Sequence, residues 1–163
     1  MIYVTGIGGA GVESLCRRAL EAISSAGLIA GGSRHLALFK GVDGERVVIK
    51  GGLDSLASSI GAYLEGRPEK CVAVLATGDP LLFGIAGFLI KRFGKKNVTI
   101  IPNVSVVQEA LALIKETANG LQVLSGHSRG ADLTGLCEGI LASARTAVFT
   151  DEVNTPGRIS RAL

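Results

Sequence analysis

The chain has 163 residues, 47 % of them hydrophobic, and its 23 glycines follow no triplet period, which excludes a disordered or collagen-like protein. A net charge of +3 without a basic block, 4 % aromatics and no tryptophan carry no signal for nucleic acid. Three widely spaced cysteines (Cys16, Cys71 and Cys137) form neither a disulfide framework nor a metal set, and no apolar run approaches about 18 residues, so the expectation is a metal-free cytoplasmic protein that stays off the membrane.

Met1–Ile7 reads as a β-strand running into glycines, and Val12–Ser25 carries Leu15, Ala19, Ala22 and Ile23 at helical spacing. Leu28–Ala30 is a second strand, stopped by Gly31-Gly32; Ser33 is expected to cap a short helical turn through Leu38. Val47–Ile49 centres a third strand, and Asp54 is expected to cap a helix with Leu56, Ala57, Ile60 and Leu64 on its apolar face. Cys71–Ala76 is an apolar run of strand length, with Cys71 expected to be buried. Helix Leu82–Phe93 follows, closed by Gly94; then come strand Asn97–Ile101, helix Ser105–Glu116, strand Leu121–Leu124, helix Ala131–Ala142, strand Thr146–Thr150 and a helix start after Pro156.

Strands that alternate with helices and are apolar throughout imply an α/β protein with a parallel sheet covered on both faces. The polar stretch Thr117–Gly120 marks the expected boundary between an N-terminal parallel α/β domain (1–118) and a second α/β domain (119–163). Ligands of such sheets bind beyond the carboxyl ends of the strands, so the glycine-rich segments there are the candidate sites.

Two segments qualify. Gly6-Ile7-Gly8-Gly9-Ala10-Gly11 matches the dinucleotide-binding pattern G-x-G-x-x-G between a strand and a helix. The acidic residue that would hold a ribose is missing after the second strand, although Ser33-Arg34 suits a 2′-phosphate. Three readings stay open for this loop: a plain strand-to-helix turn, an NADP site of an oxidoreductase, and part of another ligand site. The second segment, Leu75–Gly84, places Gly78-Asp79-Pro80 directly after a strand, with apolar Leu81-Leu82-Phe83 beyond it. Glycine there lets a ligand touch the backbone, Asp79 accepts hydrogen bonds and Pro80 fixes the turn; in isolation the tripeptide is equally a simple turn.

The order of motifs narrows the choice. Val4-Thr5-Gly6-Ile7-Gly8, Ala30-Gly31-Gly32-Ser33-Arg34-His35, Gly78-Asp79-Pro80-Leu81-Leu82-Phe83-Gly84, Ile101-Pro102-Asn103-Val104-Ser105, Ser125-Gly126-His127-Ser128-Arg129 and Phe149-Thr150-Asp151 with Asn154-Thr155-Pro156 together resemble the tetrapyrrole methylase family, in its branch acting on corrin precursors. The likeness spans nearly the whole chain. Three features depart from the pattern: Gly9 stands where proline is common; Asn103 stands where glycine is common, a residue expected there to take the left-handed backbone; and the sequence stops soon after Pro156 where the family's second domain continues, so the resemblance implies a truncated second domain.

The resemblance implies a C-methyltransferase of cobalamin biosynthesis that takes S-adenosylmethionine and a cobalt-precorrin or precorrin-6Y substrate, methylated at C5. It implies donor contacts at Gly9, Gly78, Asp79, Leu82, Ser105 and Val106, with Phe149 and Thr150 added from the second domain. Gly8, Arg34, His35 and Arg129 would meet the acidic substrate, since guanidinium forks suit carboxylates. A sulfonium methyl is already activated, so no catalytic base is demanded; His127 is the one candidate for proton removal, equally readable as a hydrogen-bonded loop histidine. A homodimer and a separate C15-methylating, decarboxylating partner are further implications. The alternatives carried beside this reading are the NADP-dependent oxidoreductase and a non-catalytic ligand-binding domain.

Overall fold

The structure is a computed structural model that describes residues 1–50, 52–67, 69–127 and 132–163. Its elements are β1 (Ile2–Ile7), α1 (Arg17–Ser24), β2 (Leu28–Gly31), α2 (Ser33–Ala37), β3 (Glu45–Val48), α3 (Leu53–Leu64), β4 (Val72–Thr77), α4 (Ala86–Phe93), β5 (Val98–Ile101), α5 (Val106–Ile114), β6 (Gln122–Ser125), α6 (Thr134–Leu141), β7 (Thr146–Phe149) and α7 (Pro156–Ala162). They fall into two compact units, Met1–Glu109 and Ala110–Leu163.

The first unit holds a five-stranded sheet in the order β3-β2-β4-β1-β5, parallel at every pairing. Side chains alternate across its faces as strand geometry requires. Ile2, Val4, Leu28, Ala30, Val72 and Val74 pack against Leu56 and Ile60 of α3 and Leu89 of α4. Ile7, Ile29, Ala73 and Leu75 pack on the other side against Ile23 of α1 and Leu36 of α2. Each large aliphatic side chain buried in this way contributes about 1.5–3 kcal/mol. The sandwich explains the unbroken apolar runs: a strand covered on both faces has no solvent side on which to place polar residues. β3 lies at the edge and is largely exposed. In the second unit β6 and β7 pair in parallel, and Leu136 of α6 and Ile159 of α7 are buried on them.

Several helix starts differ from expectation, each for a local reason. Val12 does not open an α-helix: Gly11–Ser14 forms one 3-10 turn, Leu15 and Cys16 are extended, and α1 begins at Arg17. Ser33 and Asp54 are not caps. Gly32 and Gly52 hold the capping positions of α2 and α3, and Asp54 sits in the first turn of α3, where its charge suits the helix dipole. Leu82 does not begin α4, because Pro80–Gly84 folds into a turn in which the Ala86 amide donates to the Pro80 carbonyl at 3.1 Å. Cys71 is half-buried, and its thiol donates to the Ser25 carbonyl at 3.1 Å. α6 starts at Thr134; its expected beginning at Ala131 lies outside the described residues.

Candidate functional site

The carboxyl ends of β1, β4 and β5 converge on Gly6 and Gly78. The Gly78 amide donates to the Ile7 carbonyl at 2.7 Å. A Cβ on Gly6 would overlap the Gly78 carbonyl oxygen and stand 2.9 Å from the Asn103 amide. Gly78 has φ +59°, a left-handed conformation that favours glycine, and a Cβ there would lie 3.1 Å from Ser105 Cα and the Val106 amide. The Gly-Asp-Pro loop and the Pro-Asn-Val-Ser loop therefore touch through bare backbone.

Each loop is internally braced. Asp79 Oδ1 accepts the Leu81 amide at 2.9 Å, and the Leu82 amide donates to the Asp79 carbonyl at 3.1 Å. Ser105 and Gln108 form a capping box on α5: Ser105 Oγ accepts the Gln108 amide at 3.2 Å, and Gln108 Oε1 accepts the Ser105 amide at 3.0 Å. Asn103 does not take the left-handed backbone expected of it. Its side chain supplies the turn instead, with Nδ2 donating to the Gly6 carbonyl (3.2 Å), the Ser14 carbonyl (3.0 Å) and Ser14 Oγ (3.1 Å), while Oδ1 accepts the Val104 amide at 2.8 Å. Leu81, Phe83 and Val104 stand exposed around this junction, presenting apolar surface to solvent.

The first glycine loop is closed upon itself. The Gly8 amide donates to Ser14 Oγ (2.9 Å), whose hydroxyl donates to the Gly11 carbonyl (2.6 Å), and the Gly11 amide returns to the Gly8 carbonyl (3.0 Å). The Gly9 amide donates to Glu109 Oε1 of α5 at 2.6 Å. The N–H groups that would cradle a pyrophosphate are thus committed, a carboxylate stands on the loop, and only a 3-10 turn follows it. This geometry opposes the NADP reading, which needs free amides and an α-helical N-terminus.

A cavity of about 360 Å³ opens beside this loop, and it gathers Gly8, Gly9, Arg34, His35, Val106 and Glu109. Thr77 joins its wall, its Oγ1 3.3 Å from His35 Nε2. Arg34 is exposed and His35 half-buried. Burial pushes the His35 imidazole pKa down, and the Arg34 guanidinium beside it pushes it further the same way. Of the residues expected at the site, Gly78, Asp79, Leu82 and Ser105 stand at the loop junction, while Gly8, Gly9, Arg34, His35 and Val106 share the cavity.

His127, Phe149 and Thr150 belong to the second unit, and Arg129 lies outside the described residues. Phe149 ends β7, and its carbonyl accepts the Gly126 amide at 2.8 Å. His127 Nδ1 lies 3.7 Å from Asp151 Oδ2, and Asp151 Oδ1 accepts the amides of Val153 (3.0 Å) and Asn154 (2.6 Å). Fully buried Asn154 donates from Nδ2 to the Gly126 carbonyl at 2.8 Å, which closes a ring of contacts around the histidine loop. Glu109, Ser14 and Thr77 were not singled out by the sequence, because nothing local to Glu109 announces a partner one hundred residues earlier.

The family model of the tetrapyrrole (corrin/porphyrin) methylases matches residues 1–163. The chain is 37 % identical over all 163 residues to the cobalt-precorrin-7 C(5)-methyltransferase of Salmonella typhimurium, of which it covers 77 %. It is 36 % identical over 126 residues, 77 % of its own length, to the precorrin-6Y C(5,15)-methyltransferase [decarboxylating] of Mycobacterium tuberculosis, of which this covers 31 %. Among solved structures, the precorrin-6Y methylase of Archaeoglobus fulgidus superposes with a TM-score of 0.65 at 29 % identity, over 93 % of this chain and 73 % of that one. The uroporphyrin-III C-methyltransferase of Thermus thermophilus complexed with S-adenyl homocysteine superposes with a TM-score of 0.59 at 25 % identity, over 81 % of this chain and 59 % of that one. Matched by the family model from its first residue to its last, the chain belongs to the tetrapyrrole (corrin/porphyrin) methylases and is a methyltransferase.

Proposed function

We propose that this methyltransferase transfers a methyl group from S-adenosylmethionine to C5 of cobalt-precorrin-7 in cobalamin biosynthesis. The observation that carries the substrate is the 37 % identity over the whole chain to a relative named for that reaction.

The residues fit the donor. A Cβ at Gly78 would meet the backbone of Val104, Ser105 and Val106, so the two loops form one bare-backbone edge, and the exposed apolar side chains Leu81, Phe83 and Val104 beside it suit a thioether and an adenine ring. In this reading Gly78, Asp79, Leu82, Ser105, Val106 and Gly9 hold the donor. S-adenosylmethionine supplies a methyl already activated on its sulfonium, so the protein's main contribution is alignment of the partners. Arg34 and His35 receive acidic arms of the corrin. Arg129 is assigned to the same task. His127 is assigned the proton lost from the methylated carbon; its Nδ1 lies 3.7 Å from Asp151 Oδ2.

Incubation with S-adenosylmethionine and cobalt-precorrin-7, followed by mass spectrometry, tests this. One added methyl at C5 is expected. Donor binding without methyl gain would favour a non-catalytic ligand-binding domain, and NADPH binding that survives Asp79→Ala would restore the oxidoreductase.

A further inference from the structure

The cavity beside the first glycine loop carries two opposed charges. Its lining includes one guanidinium, Arg34, and one carboxylate, Glu109. His35 contributes a neutral ring, because burial and Arg34 both disfavour its protonated form. The Glu109 carboxylate is fixed by its 2.6 Å bond from the Gly9 amide, short enough to be charge-assisted. A space of about 360 Å³ is at the small end for a ligand site, sized for one arm of a macrocycle rather than its ring.

We propose that Glu109 is a specificity-determining residue: its charge keeps acidic side chains of the tetrapyrrole off the glycine loop and leaves Arg34 as their single anchor in this cavity. This rests on the corrin reading above. A carboxylate arm entering beside Arg34 gains a fork of donors, while the same arm turned toward Gly9 meets a like charge. The neutral His35–Thr77 pair offers hydrogen bonds without a second positive charge, so the arm has one preferred landing point.

The test is absorption titration of the full chain with uroporphyrin III, an acidic tetrapyrrole, and with its neutral octa-amide. Glu109→Gln keeps an oxygen for the Gly9 amide and removes only the charge. It is expected to tighten uroporphyrin III binding about fivefold and to leave the octa-amide unchanged, the size of one like-charge repulsion through a partly solvated cavity. Arg34→Gln is expected to weaken the acid about tenfold and to spare the amide. If Glu109→Gln binds the acid as the wild type does while Glu109→Ala alone is impaired, the carboxylate is a loop brace and the proposal is overturned. Absence of any tetrapyrrole binding in all forms overturns it as well. Tetrapyrrole binding with the expected charge pattern but no methyl transfer would instead refute the proposed function and leave this inference standing.

Discussion

Gly6→Ala is a one-carbon change at the point where three strand ends meet. The new Cβ would overlap the Gly78 carbonyl and press on Asn103 at 2.9 Å (amide) and 3.1 Å (Cβ). Two of these neighbours are backbone, so the loops after β4 and β5 must move together. Overpacking of this kind costs about 1–3 kcal/mol. Separating the loops also endangers the 2.7 Å bond from the Gly78 amide to the Ile7 carbonyl, worth about 1 kcal/mol net. The sum, roughly 3 kcal/mol, is a large share of a stability of about 5–15 kcal/mol. With a urea slope of about 2 kcal/mol/M, the unfolding midpoint falls by about 1.5 M. Gly87→Ala is the matched control, because Gly87 lies inside α4 and a Cβ there meets nothing within 4 Å. It gains about 0.5–1 kcal/mol of helix propensity, so its midpoint rises. Urea denaturation followed by circular dichroism, with titration of S-adenosylhomocysteine into the folded forms, reads both effects. Gly6→Ala with a wild-type midpoint and unchanged ligand affinity would refute the claim that this junction is built from bare backbone.

Other consequences follow from single side chains. Arg46→Met removes a guanidinium that donates to the carbonyls of Leu36 (3.2 Å), Phe39 (2.5 Å) and Val42 (2.9 Å) at and beyond the end of α2, and thermal unfolding is expected to show a loss of about 1–2 kcal/mol. Ser105→Ala breaks the capping box of α5 and costs about 1 kcal/mol by the same measurement. The unfolded state protonates His35 near its ordinary pKa while the folded state resists, so stability falls as pH drops from about 7 through the ordinary histidine value toward the lowered folded one. His35→Gln is expected to flatten that part of the denaturation midpoint against pH, and an unchanged slope would count against burial of the neutral ring. His127→Ala is expected to lower kcat and kcat/KM together with little change in the corrin KM, whereas a raised KM at unchanged kcat would point to binding rather than proton removal.

The alternation of strands and helices was readable because a sheet covered on both faces demands uninterrupted apolar runs, as Val72–Leu75 shows with all four residues buried. Helix starts were less readable, since capping by Gly32 and Gly52 leaves no side-chain signal, and nearby Ser33 and Asp54 offered a false one. The Gly-Asp-Pro and Pro-Asn-Val-Ser loops were legible as motifs, but their contact through Gly78 is a property of the strand order, which places β1 between β4 and β5. Asn103 was marked as unusual for the wrong reason: its amide side chain, not its backbone torsion, holds the turn. Glu109 was invisible because its partner is distant in the chain, and an acidic residue in the first turn of a helix is accounted for by the helix dipole alone.

The first glycine loop has its amides at Gly8, Gly9 and Gly11 bonded before any ligand arrives. Its conformational freedom is given up during folding, and a guest meets a surface already set. Association with such a wall carries little entropic penalty from backbone ordering. Calorimetry should accordingly find heat-capacity changes that track the apolar area covered, without the excess that accompanies a loop freezing on encounter.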